Sequence, residues 1–269
     1  MAFVTVNGVQ LAYDDVGSGV PLVLVHGSWT NRHGWARVAP GLADRFRVVR
    51  HDRRGHSESE EASGTLDDDA GDVVALAEVL QLGMFHLVCS SQGGVIGLKV
   101  AASRPDLVRS VVCHEPPLVS ILSADSPQRA ELADRLSTDA VLAKIDEGEH
   151  EEAARLFVDN VAFGPGSWEA LPPPARAMFV ENAVTFAEEE RDPTAWELDL
   201  DGLRRFEGPA LLSTSDDSLA WPGLVLDALG DVLLRAERHV YRGGGHAPQT
   251  TVPDQYVEVV GAFVERADA

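Results

Sequence analysis

The segment Leu87-Val88-Cys89-Ser90-Ser91-Gln92-Gly93-Gly94 joins an apolar lead-in to two hydroxyls and a run of small residues. A serine oxygen is a useful nucleophile when a sharp turn holds it exposed at the carboxyl end of a strand. Such a turn demands small residues two positions before and two after the serine. With Ser91 as nucleophile, Gly93 fills the second place and Gly94 lies where the following helix crosses the strand. With Ser90, Gln92 would sit there and is too large. Ser91 is therefore assigned, although Cys89 stands where a glycine is usual. Serine is weak alone and needs a base that is itself oriented by an acid. His246 in Gly243-Gly244-Gly245-His246-Ala247-Pro248 lies on a glycine-rich loop near the end of the chain. That loop leaves its ring free to point across a sheet edge toward Ser91, which sets it apart from the other eight of nine histidines.

These residues must be held by a scaffold, and the hydrophobic patterning supplies one. Phe3–Val6 and Val9–Tyr13 alternate around Asn7-Gly8, a strong hairpin signal. Pro21–Val25 is a continuous apolar run, as expected of a strand buried on both faces, and Arg47–Arg50 repeats it more weakly. Asp67–Leu82 has helical spacing, with Thr65 as N-cap and Gly83 just past its end. Strand Phe85–Val88, helix Gly94–Ala102 and strand Val108–Cys113 follow. From about Leu118 to Phe206 the chain reads as helical and acidic, with no strand. Strand Pro209–Ser213, helix Gly223–Leu229, strand His239–Tyr241 and helix Gln255–Arg266 then complete the alternation. This rhythm predicts an α/β fold with a mostly parallel sheet covered on both faces. The core covers residues 1–117 and 208–269, and a helical insertion over 118–207 forms a lid.

A chain of 269 residues is long enough to bury a sizeable core. Its 22 basic and 43 acidic residues give a net charge of −21, which argues against nucleic acid and anionic membrane as partners because a polyanion repels phosphates. No run of 18 apolar residues is present, and Met1-Ala2-Phe3 opens directly into strand-like sequence without a secretory signal. Cys89 and Cys113 make neither a disulfide framework nor a metal site and are read as packing residues beneath the turns. The expected setting is the cytoplasm. No cofactor or metal is called for, since an acid–base pair needs none and no dinucleotide glycine signature occurs.

His26-Gly27-Ser28-Trp29, Asp52-Arg53-Arg54-Gly55-His56-Ser57, the Ser91 turn, and Gly245-His246 with Pro253-Asp254 occur in an order and spacing that resemble the α/β-hydrolase family along the whole chain. The resemblance implies an eight-stranded, mostly parallel sheet with a helical lid. It also implies an oxyanion hole formed by the backbone N–H groups of Ser28 and Gln92, each such donor stabilising the developing charge by about 3 kcal/mol. Asp52, Arg53 and His56 belong to a turn that buttresses the site in that family. Most relatives carry the acid after the strand that follows the insertion, which here offers Asp216 and Asp217. Glu115 in Cys113-His114-Glu115-Pro116-Pro117 occupies the alternative acid position, used by haloalkane dehalogenases with a glutamate and by zearalenone lactone hydrolases. The latter are similar in detail, pairing a Cys-Ser-Ser turn with a Cys-His-Glu turn. Glu115 is preferred because it sits between an apolar strand and a Pro-Pro stop, where a solvated-face explanation is weak. Asp216 and Asp217 remain the alternatives.

The expected function is hydrolysis of a carboxylic ester or lactone through an acyl-enzyme on Ser91, and the resemblance to zearalenone lactone hydrolases points toward a large apolar lactone. Trp29, His114, Trp168, Met178 and Phe179 are expected to line the pocket, with Leu171 and Phe186 beside them, while Phe157 and Phe163 are expected to pack. The expected partner is a small neutral or apolar ester or lactone, and a homodimer is the assembly considered. A serine at position 91 excludes dehalogenase and epoxide-hydrolase chemistry, which needs a carboxylate nucleophile there. Carbon–carbon bond hydrolysis and hydroxynitrile lysis are the alternatives on the same scaffold, and a small-molecule receptor derived from a hydrolase is the alternative of another class.

Overall fold

A computed structural model describes all residues, 1–269. Eight strands run in the order β1-β2-β4-β3-β5-β6-β7-β8 across one sheet. They are β1 (Ala2–Val6), β2 (Val9–Gly17), β3 (Pro21–Val25), β4 (Arg47–His51), β5 (Phe85–Ser90), β6 (Val108–His114), β7 (Ala210–Ser215) and β8 (Ala236–Tyr241). The first two are antiparallel to their neighbours, and β3 through β8 pair in parallel. Side chains alternate across the sheet as the pleat requires. Val23, Val25, Leu87 and Cys89 join the apolar cluster on one face, while Leu22, Leu24 and Val88 join that on the other. The first cluster is covered by helices Leu66–Val79, Gln92–Ser103 and Trp221–Val232, and the second by Pro253–Asp268.

Local signals fix several of these elements. Thr65 caps helix Leu66–Val79 reciprocally: its Oγ1 accepts from Asp68 N–H at 3.2 Å, and Asp68 Oδ2 accepts from Thr65 N–H at 2.8 Å. The helix stops at Val79 rather than Leu82, with Gln81 in the left-handed region at φ 53°. β8 begins at Ala236, three residues before the expected start. Its exposed Glu237, Arg238 and Val240 belong to an edge strand, where charged side chains blunt the open edge and disguise the pattern.

Between β6 and β7 there are helices and turns but no strand. The helices Asp139–Asp146, His150–Phe157, Ser167–Ala170, Pro173–Glu181 and Ala183–Arg191 bury Val141, Ala153, Trp168, Phe179 and Phe186 in an apolar cluster of their own. Trp29, on the turn after β3, is the residue by which the sheet domain enters that cluster. No helix is long and apolar enough to cross a membrane.

Candidate active site

The site is built at the carboxyl ends of the parallel strands, where an α/β sheet places ligands. Ser91 directly follows β5 and precedes helix Gln92–Ser103, with φ 53° and ψ −127°. Of six non-glycine residues at positive φ, three cluster here: Ser91, Glu115 and Trp29. Each such residue costs about 1–3 kcal/mol, and the concentration of strain marks a place where side-chain aim matters more than local stability. Ser91 is held by its N–H, which donates to His114 C=O at 2.8 Å, and by its C=O, which accepts from Gly94 N–H at 2.7 Å.

The turn closes because Gly93 has no side chain. A Cβ there would lie 2.3 Å from Val25 O and 2.6 Å from His26 O, both backbone atoms that cannot swing away. This is the close approach that selects the Ser91 register over Ser90. Cys89 takes the place of the usual first glycine because the helix opposite it compensates: a Cβ on Gly97 would lie 2.5 Å from Cys89 Sγ. Gly93→Ala is therefore expected to destabilise the fold by about 3 kcal/mol, the upper range of overpacking, read as a lower urea midpoint at unchanged slope. A midpoint equal to wild type would contradict the close approach.

Glu115 follows β6 and is 1% exposed. Its Oε2 lies 2.7 Å from His246 Nδ1, and its Oε1 accepts from Thr214 Oγ1 at 2.6 Å. A carboxylate only accepts, so His246 carries its proton on Nδ1 and leaves Nε2 unprotonated in the neutral ring. Asp216 and Asp217 are exposed and do other work. They accept from the N–H groups of Gly243 and Gly245, at 2.8 Å each, and brace the loop that carries His246. Ser215 Oγ donates to Gly245 C=O at 2.8 Å from the same side.

Burial alone would push the Glu115 carboxyl up, but the hydrogen bond from His246 and the electrostatic attraction of the neighbouring His246 and His114 rings outweigh it and hold it at about 2. Its ordinary value is 4.5. The folded chain therefore binds this proton more weakly than the unfolded chain. The stabilisation is complete above pH 4.5 and is lost as pH falls toward 2, a span worth on the order of 3 kcal/mol. The gap in unfolding free energy between wild type and Glu115→Gln should shrink over that window in a urea series. A gap independent of pH would contradict the ionised, bonded Glu115.

A cavity of about 450 Å³ opens onto Ser28, Ser91, Gln92 and His246. Gln92 is the first residue of its helix, so its N–H has no partner within the helix. Ser28 lies on the turn beyond Gly27, and Gly27 runs against Ser91: a Cβ on it would be 2.9 Å from Ser91 Cβ. The cavity walls include Phe157, Phe186, Trp196 and Trp221, with Thr138 and Glu190 among the polar lining.

The expected pocket list needs correction, because Trp29, His114, Trp168, Met178 and Phe179 do not line this cavity. Trp29 is fully buried behind two wall residues: its ring centroid lies 5.1 Å from that of Phe157, on which it stacks, and 4.8 Å from that of Phe186, to which it is tilted. Burial pushes the His114 ring down to about 4 and keeps it neutral. Its Nε2–H donates to Gly245 C=O at 3.3 Å while Nδ1 accepts from Ser213 Oγ at 3.0 Å, so it supports the His246 loop from beneath. Trp168 and Phe179 are buried in the cluster of the helical segment, and Met178 packs against it. Phe157, expected only to pack, does both, and Phe186 lines the cavity as expected. Trp196 and Trp221 carry no sequence signal that separates a wall residue from a core one. Val161 and Ala162 line the cavity from a π-helical turn, Val158–Ala162, a geometry often found at functional sites.

Asp52, Arg53 and His56 buttress the neighbouring turn. Asp52 Oδ1 accepts from Arg32 N–H at 2.7 Å, Arg53 N–H donates to His26 Nε2 at 3.1 Å, and the His26 and His56 rings meet edge to face. Cys89 and Cys113 are paired across β5 and β6 and fully buried. No group of three or more His, Cys, Asp or Glu side chains is gathered so as to hold a metal ion.

Comparison with known proteins identifies the fold family. A protein of Bacillus subtilis described as an uncharacterized hydrolase, YraK, is 35% identical over 133 residues, 47% of this chain and 48% of that protein. The 2-hydroxymuconate semialdehyde hydrolase of Pseudomonas sp. strain CF600 is 27% identical over 97% of this chain and 93% of its own. The first four curated relatives are matched over 30% to 48% of their length, so the chain spans less than half of each. An α/β hydrolase from Sphaerobacter thermophilus superposes with a TM-score of 0.82 at 23% identity, covering 98% of this chain and all of that one. The model of the α/β-hydrolase fold family matches residues 20–251. With most of its length inside that match, the chain belongs to the α/β-hydrolase fold family.

Proposed function

We propose that this hydrolase cleaves a carboxylic ester or lactone through an acyl-enzyme on Ser91. The observation that carries the reading is the 2.7 Å contact between Glu115 Oε2 and His246 Nδ1, with His246 and a strained Ser91 opening onto one cavity. Ser91 Oγ attacks the carbonyl carbon while His246 Nε2 takes its proton. The oxyanion is met by the N–H groups of Ser28 and Gln92. The tetrahedral species collapses, and the imidazolium returns the proton to the departing alkoxide. Water, deprotonated by His246, then attacks the acyl carbon and releases Ser91. Glu115 keeps the ring in the required tautomer and balances its charge. The helices between β6 and β7 act as a lid that excludes water from this sequence.

The aromatic walls and the strongly negative chain favour a neutral, apolar acyl or alcohol part. A large lactone of the kind opened by zearalenone lactone hydrolases fits the paired Cys-Ser-Ser and Cys-His-Glu turns. A second reading, hydrolysis of a carbon–carbon bond beside a carbonyl, draws on the similarity to the semialdehyde hydrolase along nearly the whole chain. A panel of esters, lactones and vinylogous diketones with product identification separates the two. Turnover of esters or lactones to acid and alcohol supports the first, and turnover confined to diketones would replace it.

A further inference from the structure

The helix Ala183–Arg191 reaches the catalytic turn through one side chain. Glu189 is 6% exposed, and its two oxygens serve different elements. Oε2 accepts from Ser28 Oγ at 2.5 Å, and Oε1 accepts from the guanidinium of Arg53, itself 1% exposed. Arg53 lies just past β4, and its N–H is bonded to His26 on the turn that carries Ser28. One carboxylate thus ties together the turns after β3 and β4, both beside Ser91, from a helix of the segment between β6 and β7. An arginine and a carboxylate withdrawn from water this completely are costly, and an apolar contact would dock the helix as well. What the ion pair adds is a fixed hydrogen bond to the Ser28 side chain.

We propose that Glu189 is a positioning residue for the oxyanion turn, holding Ser28 through its hydroxyl so that its backbone N–H stays aimed at the Ser91 carbonyl adduct. The proposal rests on the function above for what that N–H does, but the clamp itself stands on geometry. It also links the lid to the chemistry, because displacing the helix would release the turn.

Three variants read this clamp. Ser28→Ala removes the hydroxyl and keeps the N–H. Glu189→Ala removes the acceptor. Glu189→Gln keeps an oxygen for Ser28, and Asp69, 3.3 Å from the Arg53 guanidinium, is a reserve partner for the arginine. Burial pushes the Asp69 carboxyl up to about 7, so it can ionise when Glu189 loses its charge. Ser28→Ala and Glu189→Ala are expected to lower kcat on a nitrophenyl ester by about 10- to 100-fold with KM nearly unchanged, since small misplacements act on the transition state. A tetrahedral alkylboronic acid should bind more weakly by the same factor. Glu189→Gln should recover most of the loss, and Ser28→Ala with Glu189→Gln should equal Ser28→Ala alone.

Hydrogen exchange over residues 27–31 reads the clamp without any assay of activity and should be faster in Ser28→Ala and Glu189→Ala. Wild-type kcat and wild-type exchange in Ser28→Ala would overturn the proposal, as would losses confined to melting temperature. Full turnover in Ser91→Ala would instead overturn the proposed function. The exchange result would then still decide the clamp, faster exchange supporting it and unchanged exchange sinking it.

Discussion

Ser91→Ala is expected to fold as wild type and to lose on the order of 10⁴-fold or more in kcat on a short-chain nitrophenyl ester. The substitution deletes only a hydroxyl that opens onto the cavity. It leaves the φ 53° strain as it was, because alanine meets the same Cβ penalty as serine there. Gly93 and the Ser91 N–H bond to His114 are untouched, so stability should barely move. Any remaining rate comes from the backbone donors and from binding. Sustained turnover in Ser91→Ala would remove Ser91 from the chemistry. A wild-type burst followed by negligible turnover, with ligand still bound by Ser91→Ala, would instead identify a receptor on a hydrolase scaffold.

The second large effect separates three carboxylates. Glu115→Gln is expected to lower kcat by on the order of 10³–10⁴-fold, because an amide at Oε2 favours the wrong imidazole tautomer and no longer balances the imidazolium. Asp216→Asn and Asp217→Asn should each stay within about tenfold of wild type, since each accepts from one loop amide, and an asparagine oxygen can still accept it. Near wild-type turnover in Glu115→Gln with collapse in Asp217→Asn would mean that the loop rearranges in solution and the later acid is used. Glu115→Gln should also be less stable at neutral pH, and a loss of activity caused by unfolding is recognised from the melting curve.

Much of this was legible in the sequence because sterics leave few choices at a nucleophile turn. Gly93 is forced by the Val25 and His26 carbonyls, and that alone separates Ser91 from Ser90. Glu115 could be singled out because a carboxylate between a buried strand and Pro116-Pro117 has little access to water. The parallel core showed itself through continuous apolar runs, whereas β8 did so only in part, since an edge strand alternates with charges. The pocket was illegible for a different reason. An aromatic residue on a helix or turn beside the cavity faces either the cavity or the helices packed next to it, and local spacing does not say which. Trp29, Trp168 and Phe179 were drawn into the cluster behind the wall, and Trp196 and Trp221 took places on it. Glu189 was hidden in the run Glu188-Glu189-Glu190, which reads as a solvated acidic face until the fold brings Ser28 and Arg53 to it.

The most direct test is covalent. A fluorophosphonate, which reacts with an activated serine hydroxyl, is added to the protein, followed by proteolysis and mapping of the adduct by mass spectrometry. The expected result is a single adduct on Ser91, formed at least about a hundredfold more slowly in His246→Ala because the base is gone. An adduct on Ser90, or labelling of Ser91 as fast in His246→Ala as in wild type, would contradict a Ser91 nucleophile activated by His246 and Glu115.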